Sequence, residues 1–153
     1  MNYDELIANK ERKMQELAHR IQTLEQQMGQ SLMTKSKNKL EHFKDSQIVK
    51  VFSKKALFTK DHPVPNRAEW NVLINQFIKD MPETFNFFST GKKLSQLELQ
   101  TCILLILDYE EGIIAGLTKS SSAAISIAKG RANQKLFKEK SALTLKYNLK
   151  KMI

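Results

Sequence analysis

Apolar residues recur every seven positions at the start of the chain: Ile7, Met14, Ile21 and Met28, with Leu17 and Leu24 at the intervening positions. A repeat with apolar a and d positions keeps one helical seam turned towards a partner helix. Residues 1–33 are therefore expected to form a coiled-coil dimerisation helix, with Ile7, Met14, Leu17, Ile21, Leu24 and Met28 as its contacts. Arg20 at a g position and Glu25 at the following e can pair between parallel chains, whereas Lys10 at a d position weakens the first heptad. Such a seam is covered either by a second copy or by the chain's own helices. A parallel homodimer is the preferred reading, because no later segment offers a long complementary helix.

Beyond residue 33 the pattern loosens. Leu40, Phe43, Ile48, Val51 and Phe52 fit helical turns, but lysines interrupt any wide apolar face, so residues 34–66 read as a basic connector. It ends in TKDHPVPN at 59–66, where Pro63 and Pro65 favour extended backbone. Residues 67–153 then make a helical domain. Asn66, with Glu69 three residues on, caps a helix from about 67 to 81 whose stripe is Trp70, Leu73, Ile74, Phe77 and Met81. Pro82 ends that helix or starts the next, and Phe85, Phe87 and Phe88 follow in a short segment closed by Gly91. The helical spacing of these aromatics favours core packing over base stacking. Trp70 and Phe77 are expected to pack on a helix over 95–107, which opens with a Ser95/Glu98 capping box in LSQLELQTCILLI at 94–106.

Residues 110–137, EEGIIAGLTKSSSAAISIAKGRANQKLF, read as two short helices around a tight turn. Ile113, Ile114 and Ala115 supply the first helix, Leu117 and Thr118 the turn, and Ser121 the cap of a second helix at about 122–137. Ala124, Ile125, Ala128, Ala132 and Leu136 share a face of that second helix which only packing can satisfy. The opposite face presents Ala123, Ser126, Ile127, Gly130 and Gln134. Strand signals are absent. The expected fold class is all-α: an N-terminal coiled-coil helix, connector helices and a C-terminal helix-turn-helix domain at 110–137.

The net charge of +9 sharpens this picture once it is divided along the chain. Residues 34–60 carry eight basic and two acidic groups, and residues 117–153 carry nine and one. Residues 94–116 carry four acidic groups and no basic one. The last basic block coincides with the second helix of the turn motif, as a phosphate-binding surface requires. The first fits a phosphate contact or a merely solvated face equally well.

Catalytic chemistry finds little footing. His19, His42 and His62 lack metal-site spacing, and STGKK at 89–93 lacks the first glycine of a phosphate loop. Ser120 to Ser122 have no nucleophile-elbow glycines, and Asp108, Glu110 and Glu111 read as a solvated loop and first-turn charges. No enzyme activity, cofactor, metal or small-molecule substrate is expected. Cys102 sits in an apolar run and reads as a buried thiol. The longest such run, Cys102 to Leu107, falls far short of the roughly 20 residues that span a bilayer. MNYDELIANKERK has no apolar segment of the signal-peptide kind, so a cytoplasmic, nucleoid location is expected.

The spacing Ile114-Ala115, Ser121, Ala124-Ile125 and Lys135-Leu136 resembles the LuxR-type and sigma-domain-four helix-turn-helix of bacterial transcription factors. LSQLELQTCILLI looks like the first helix of that domain. SQIVKVFSKKA and EWNVLINQFIKDMPETFNFFS look like the cytoplasmic tail of bacterial tetratricopeptide-repeat regulators. The resemblance implies a DNA-binding transcriptional regulator, the output portion of a sensor, with its reader helix in the major groove of double-stranded DNA. It further implies a tetratricopeptide region and membrane span upstream of Met1. The residues expected at DNA are Lys119, Ser121, Ser122, Ala123, Ser126, Lys129, Gly130, Arg131 and Lys135. Among them Lys129 and Arg131 are expected to hold phosphates and Ser126 to reach a base edge. The chain departs from the pattern where strong readers offer long polar side chains. An alternative expectation is therefore a degenerate helix-turn-helix that serves as a dimeric protein-interaction module, for example docking on RNA polymerase.

Overall fold

The computed structural model describes residues 3–57 and 63–153 and, within the first helix, the side chains of residues 3–27 and 38–44. Helices are the only regular elements among the described residues, so the chain is all-α. It divides into two compact units, Met1–Asn38 and Lys39–Ile153.

The first unit is one helix. α1 spans Tyr3–Lys44, with Asp4 and Glu5 in its first turn, where the helix dipole favours negative charge. Its heptad seam is not covered by the chain's own described residues: Ile7 is 42% exposed and Met14 70%, with Leu17, Ile21 and Leu24 between those values. Met28 lies outside the described side chains.

The second unit begins with the last turns of α1, from Lys39. It continues through α2 (Gln47–Leu57), α3 (Arg67–Asp80), α4 (Pro82–Ser89), α5 (Gln96–Ile106), α6 (Glu111–Leu117), α7 (Ser122–Phe137) and α8 (Leu145–Met152). Two capping boxes start helices here: Asn66 accepts from the Glu69 amide and Ser95 from the Glu98 amide, each with the glutamate bonding back. Pro82 opens α4 at its first turn, where a missing N–H costs nothing. Helices α5, α6 and α7 end differently, in left-handed residues that are not glycine: Asp108 (φ 69°), Lys119 (φ 56°) and Lys138 (φ 61°). Around Asp108 the Tyr109 amide reaches the Leu104 carbonyl and the Asp108 amide the Leu105 carbonyl. Around Lys119 the Ser120 amide reaches Ala115 and the Lys119 amide Gly116. Both are Schellman closures, which satisfy carbonyls that the helix end would otherwise leave open.

One apolar cluster runs through this unit, and it overturns the reading of residues from Lys39 on as a connector. Phe43 and Phe52 are fully buried, and Ile48, Val49 and Ala56 are buried with them. The Phe52 ring meets the edge of Trp70 at 4.8 Å, and Phe43 meets Phe77 at 5.3 Å. Phe77 also stacks on Phe88 at 5.9 Å. Trp70 and Phe77 are thus buried, as expected of core residues; their ring partners come from α1, α2 and α4, and they share one continuous core with the apolar residues of α5. The lysines that seemed to interrupt an apolar face lie on the outer side of a helix whose inner side is aromatic. A further element absent from the sequence reading is α8, which places Leu145 and Leu149, both fully buried, against α5 and α7.

Asp108 lies in the turn after α5 and is exposed, as expected of a solvated loop, and it is also a junction of charge. Lys44 lies 3.7 Å from its carboxylate, Lys146 3.6 Å and Lys150 2.9 Å, so the end of α1, the end of α5 and α8 meet there. Burial opposes its charge, but the Lys150 hydrogen bond and the neighbouring lysines outweigh that and hold its carboxyl below the usual range. Lys150 also donates to the Ile106 carbonyl at 2.8 Å, at the C-terminal end of α5.

Phe52 separates the two readings of residues 39–57 experimentally. As a fully buried ring in the aromatic layer, its replacement in Phe52→Ala should cost about 3 to 5 kcal/mol of unfolding free energy in denaturant titration. A loss below about 1 kcal/mol would return this segment to the role of a connector.

Candidate nucleic-acid interface

α7 is held from one side only. Ile125, Ala128 and Ala132 are buried, and Ala124 and Leu136 are partly so. These are the stripe that the spacing predicts, and it packs on α5, α6 and α8. Asn133, fully buried, adds a polar anchor that periodicity does not reveal. Its amide donates to the Ser141 carbonyl at 2.7 Å and the Thr144 hydroxyl at 2.8 Å, and its oxygen accepts from Asn148 at 3.0 Å. This network ties the end of α7 to α8 and satisfies every buried polar atom it contains.

The entry of α7 follows the expected chemistry with one shift. Ser121 caps it, accepting from the Ala124 amide at 3.0 Å. Leu117, expected in the turn, is the last residue of α6 and is buried, so the turn is Thr118 to Ser120. The Thr118 hydroxyl donates back to the Ile114 carbonyl at 2.7 Å, and Lys119 makes the left-handed step that redirects the chain. α6 and α7 pack on each other across this turn.

The expected DNA residues divide into two sets. Lys119, Ser121, Ser122, Ala123, Ser126 and Arg131 are exposed, and Gly130 is half-exposed. Lys129 and Lys135 are not free. The Lys129 side chain, 14% exposed, pairs with Glu111 of α6 at 3.3 Å. Lys135 pairs with the nearly buried Glu98 of α5 and also donates to the Lys93 carbonyl at 3.1 Å. Each of these two lysines thus already neutralises a carboxylate, Glu111 at the surface and Glu98 inside the fold. Two cations that the sequence reading did not place at DNA stand beside the exposed face with Arg131: Lys92 before α5 and Lys140 after α7. The charge of the block 117–153 was the signal for Lys140; which lysines were free depended on partners distant in sequence.

Gly130 lies mid-helix, where glycine costs about 1 kcal/mol relative to alanine. A Cβ built there meets nothing within 4 Å, so no contact inside the fold demands a glycine. The α7 sequence contains no acidic residue. Elsewhere, Cys102 is fully buried and burial pushes its thiol upward, away from reactivity. His42 lies 3.0 Å from the buried Asp80 carboxylate, His19 is exposed, and His62 lies outside the described residues. Among the described residues no cluster of His, Cys, Asp or Glu could hold a metal ion, and no helix is long and apolar enough to cross a membrane.

The seating of α7 depends on Glu98. Burial opposes its ionisation, but hydrogen bonds from Lys135 and Ser95 outweigh that and hold the carboxyl below the usual range. The folded value lies below the ordinary 4.5, so this stabilisation is complete above that pH and is lost as the pH falls through the depressed value. Glu98→Gln should flatten this part of the acid limb of stability. Lys135→Ala, which strands a buried carboxylate, should cost about 3 to 5 kcal/mol in thermal or denaturant unfolding. An unchanged acid limb in Glu98→Gln would show that the pair does not carry this coupling.

No protein-family model matches the chain, and no curated protein and no solved structure matches it either.

Proposed function

We propose that the chain is a DNA-binding transcriptional regulator, with α7 as the element that enters the major groove and α1 pairing two copies. One observation carries the reading. The outward face of α7 has no carboxylate, and Lys92, Arg131 and Lys140, which line the depression beside it, have no acidic partner among the described residues. Free cations on one side of an exposed helix are what phosphate neutralisation requires. The tight turn between α6 and α7, and the burial of α7 along its other side, support a helix-turn-helix that presents a rigid reader. Action in the bacterial cytoplasm, on the nucleoid, belongs to the same proposal.

A second reading has its own support. Between α3, α5 and the α6–α7 turn lies a groove of about 1290 Å³, with Trp70, Ile74, Leu97 and Leu99 in its lining and Arg67, Lys93 and Lys119 beside them. A basic-rimmed, part-apolar groove suits an acidic peptide of a protein partner such as RNA polymerase.

Affinity for duplex DNA over a salt series separates the two. DNA binding should weaken steeply as salt rises, with a logarithmic slope of about −0.9 per phosphate neutralised. Arg131→Ala should weaken binding to all duplexes alike and reduce the slope by about one. Lys129→Ala should leave the slope unchanged and lower stability, since its partner is Glu111. A chain that binds no duplex at low salt belongs to the protein-interaction reading.

For the dimer, the exposed seam residue Ile21 is the natural probe. Ile21→Lys places charge in the seam and should convert dimers to monomers in sedimentation equilibrium, without lowering the stability of the second unit. Unaltered chain that sediments as a monomer at high concentration would remove the pairing.

A further inference from the structure

At its centre the outward face of α7 offers a hydrocarbon rather than a hydrogen-bonding group. Ile127 is 55% exposed. Ala123 and Ser126 are exposed on the same side, and Gly130 follows one turn on. Two shallow depressions flank the isoleucine, which helps to wall both. One, of about 450 Å³, is lined also by Lys92, Gly130, Arg131, Gln134 and Lys140; the other, of about 270 Å³, by Ser95, Glu98 and Ala124. The Gln134 side-chain oxygen is buried on this rim without a hydrogen-bond partner.

Charge decides what covers such a surface. Lys92, Arg131 and Lys140 stand around the larger depression, and the carboxylate in the smaller one, Glu98, is already held by Lys135. A polyanion fits this basic rim. Nor does anything inside the fold require the glycine at 130, where an added Cβ meets open space. It leaves room beside Ile127 for a surface from outside the chain.

Of the features a base pair shows in the major groove, a hydrocarbon side chain reads one, the C5-methyl group of thymine. We infer that Ile127 is a specificity-determining residue of α7 and that the preferred duplex carries thymine where the isoleucine meets it. This rests on the DNA-binding reading proposed above. Arg131 and the flanking lysines hold the backbone, and sequence preference comes from methyl contact. The reader then needs few long polar side chains, and that is the composition α7 has.

The test uses the full chain with two duplexes, alternating dA·dT and the same duplex with uracil for every thymine. Phosphates and hydrogen-bonding edges are identical, and only the methyl group differs. Burying one methyl group corresponds to about a fourfold difference in affinity. The unaltered chain should therefore prefer the thymine duplex by about fourfold or more at low salt. Ile127→Ala should bind both duplexes equally while keeping its unfolding midpoint, and Ile127→Val should retain the preference. Equal affinity of the unaltered chain for the two duplexes overturns the inference alone, as does a preference that survives in Ile127→Ala. Failure to bind either duplex overturns the DNA-binding reading and this inference with it.

Discussion

Helix α5 is apolar on nearly every side, and most of the second unit is arranged to cover it. Its residues from Gln100 to Ile106 are buried in succession, on all faces of an eleven-residue helix. A stretch of this kind cannot lie on a surface, because each exposed face would leave hydrocarbon in water. Neighbours must therefore surround it. α7 and α8 do so directly, and the aromatic layer of α1, α2, α3 and α4 joins the same continuous core. The requirement also explains why α7 is buried along one side and bare along the other: it is a cover, and a cover has an outside.

Electrostatics then settles how the cover is held and what it shows. Four of the nine basic residues in 117–153 are spent within the fold, Lys129 on Glu111, Lys135 on Glu98, and Lys146 and Lys150 on Asp108. Each fastens a C-terminal helix to an acidic residue of the segment 94–116. Lys119, Arg131, Lys138 and Lys140 have no such partner among the described residues, and Arg131 and Lys140 line the depression on the side of α7 that faces away from the core. The opposite charges of the two segments are thus partly the adhesive between α7, α8 and their support. What remains uncancelled is the surface on which the proposed function rests.

The all-α character, the Asn66 and Ser95 capping boxes, the Ser121 cap and the buried stripe of α7 follow from short-range rules, and those parts were legible. Side-chain oxygens reach amides two or three residues away, and apolar residues spaced by three and four share a face whatever lies opposite. The segment 39–57 was harder. Its lysines and aromatics occupy different faces of short helices, and the pattern reads as interrupted until Phe43 and Phe52 are seen against Phe77 and Trp70. α8 escaped because a helix of eight residues with two buried leucines has too little pattern to stand out. Helix ends at Asp108, Lys119 and Lys138 escaped because the left-handed residue was not the glycine that usually marks one.

By itself the sequence determined helices, caps, an apolar seam on α1 and an excess of positive charge near the C-terminus, all properties set by residues within a few positions of one another. Only the tertiary structure decided which cations are free. The partners of Lys129 and Lys135 lie 18 and 37 residues away in sequence, so no local pattern could mark these lysines as bound and Arg131 as available. The same holds for Ile127: periodicity put it opposite the core stripe, but its exposure between two depressions depends on where α5 and the segments around Lys92 and Lys140 end. Charge acts through space, and the chain alone does not state the distances.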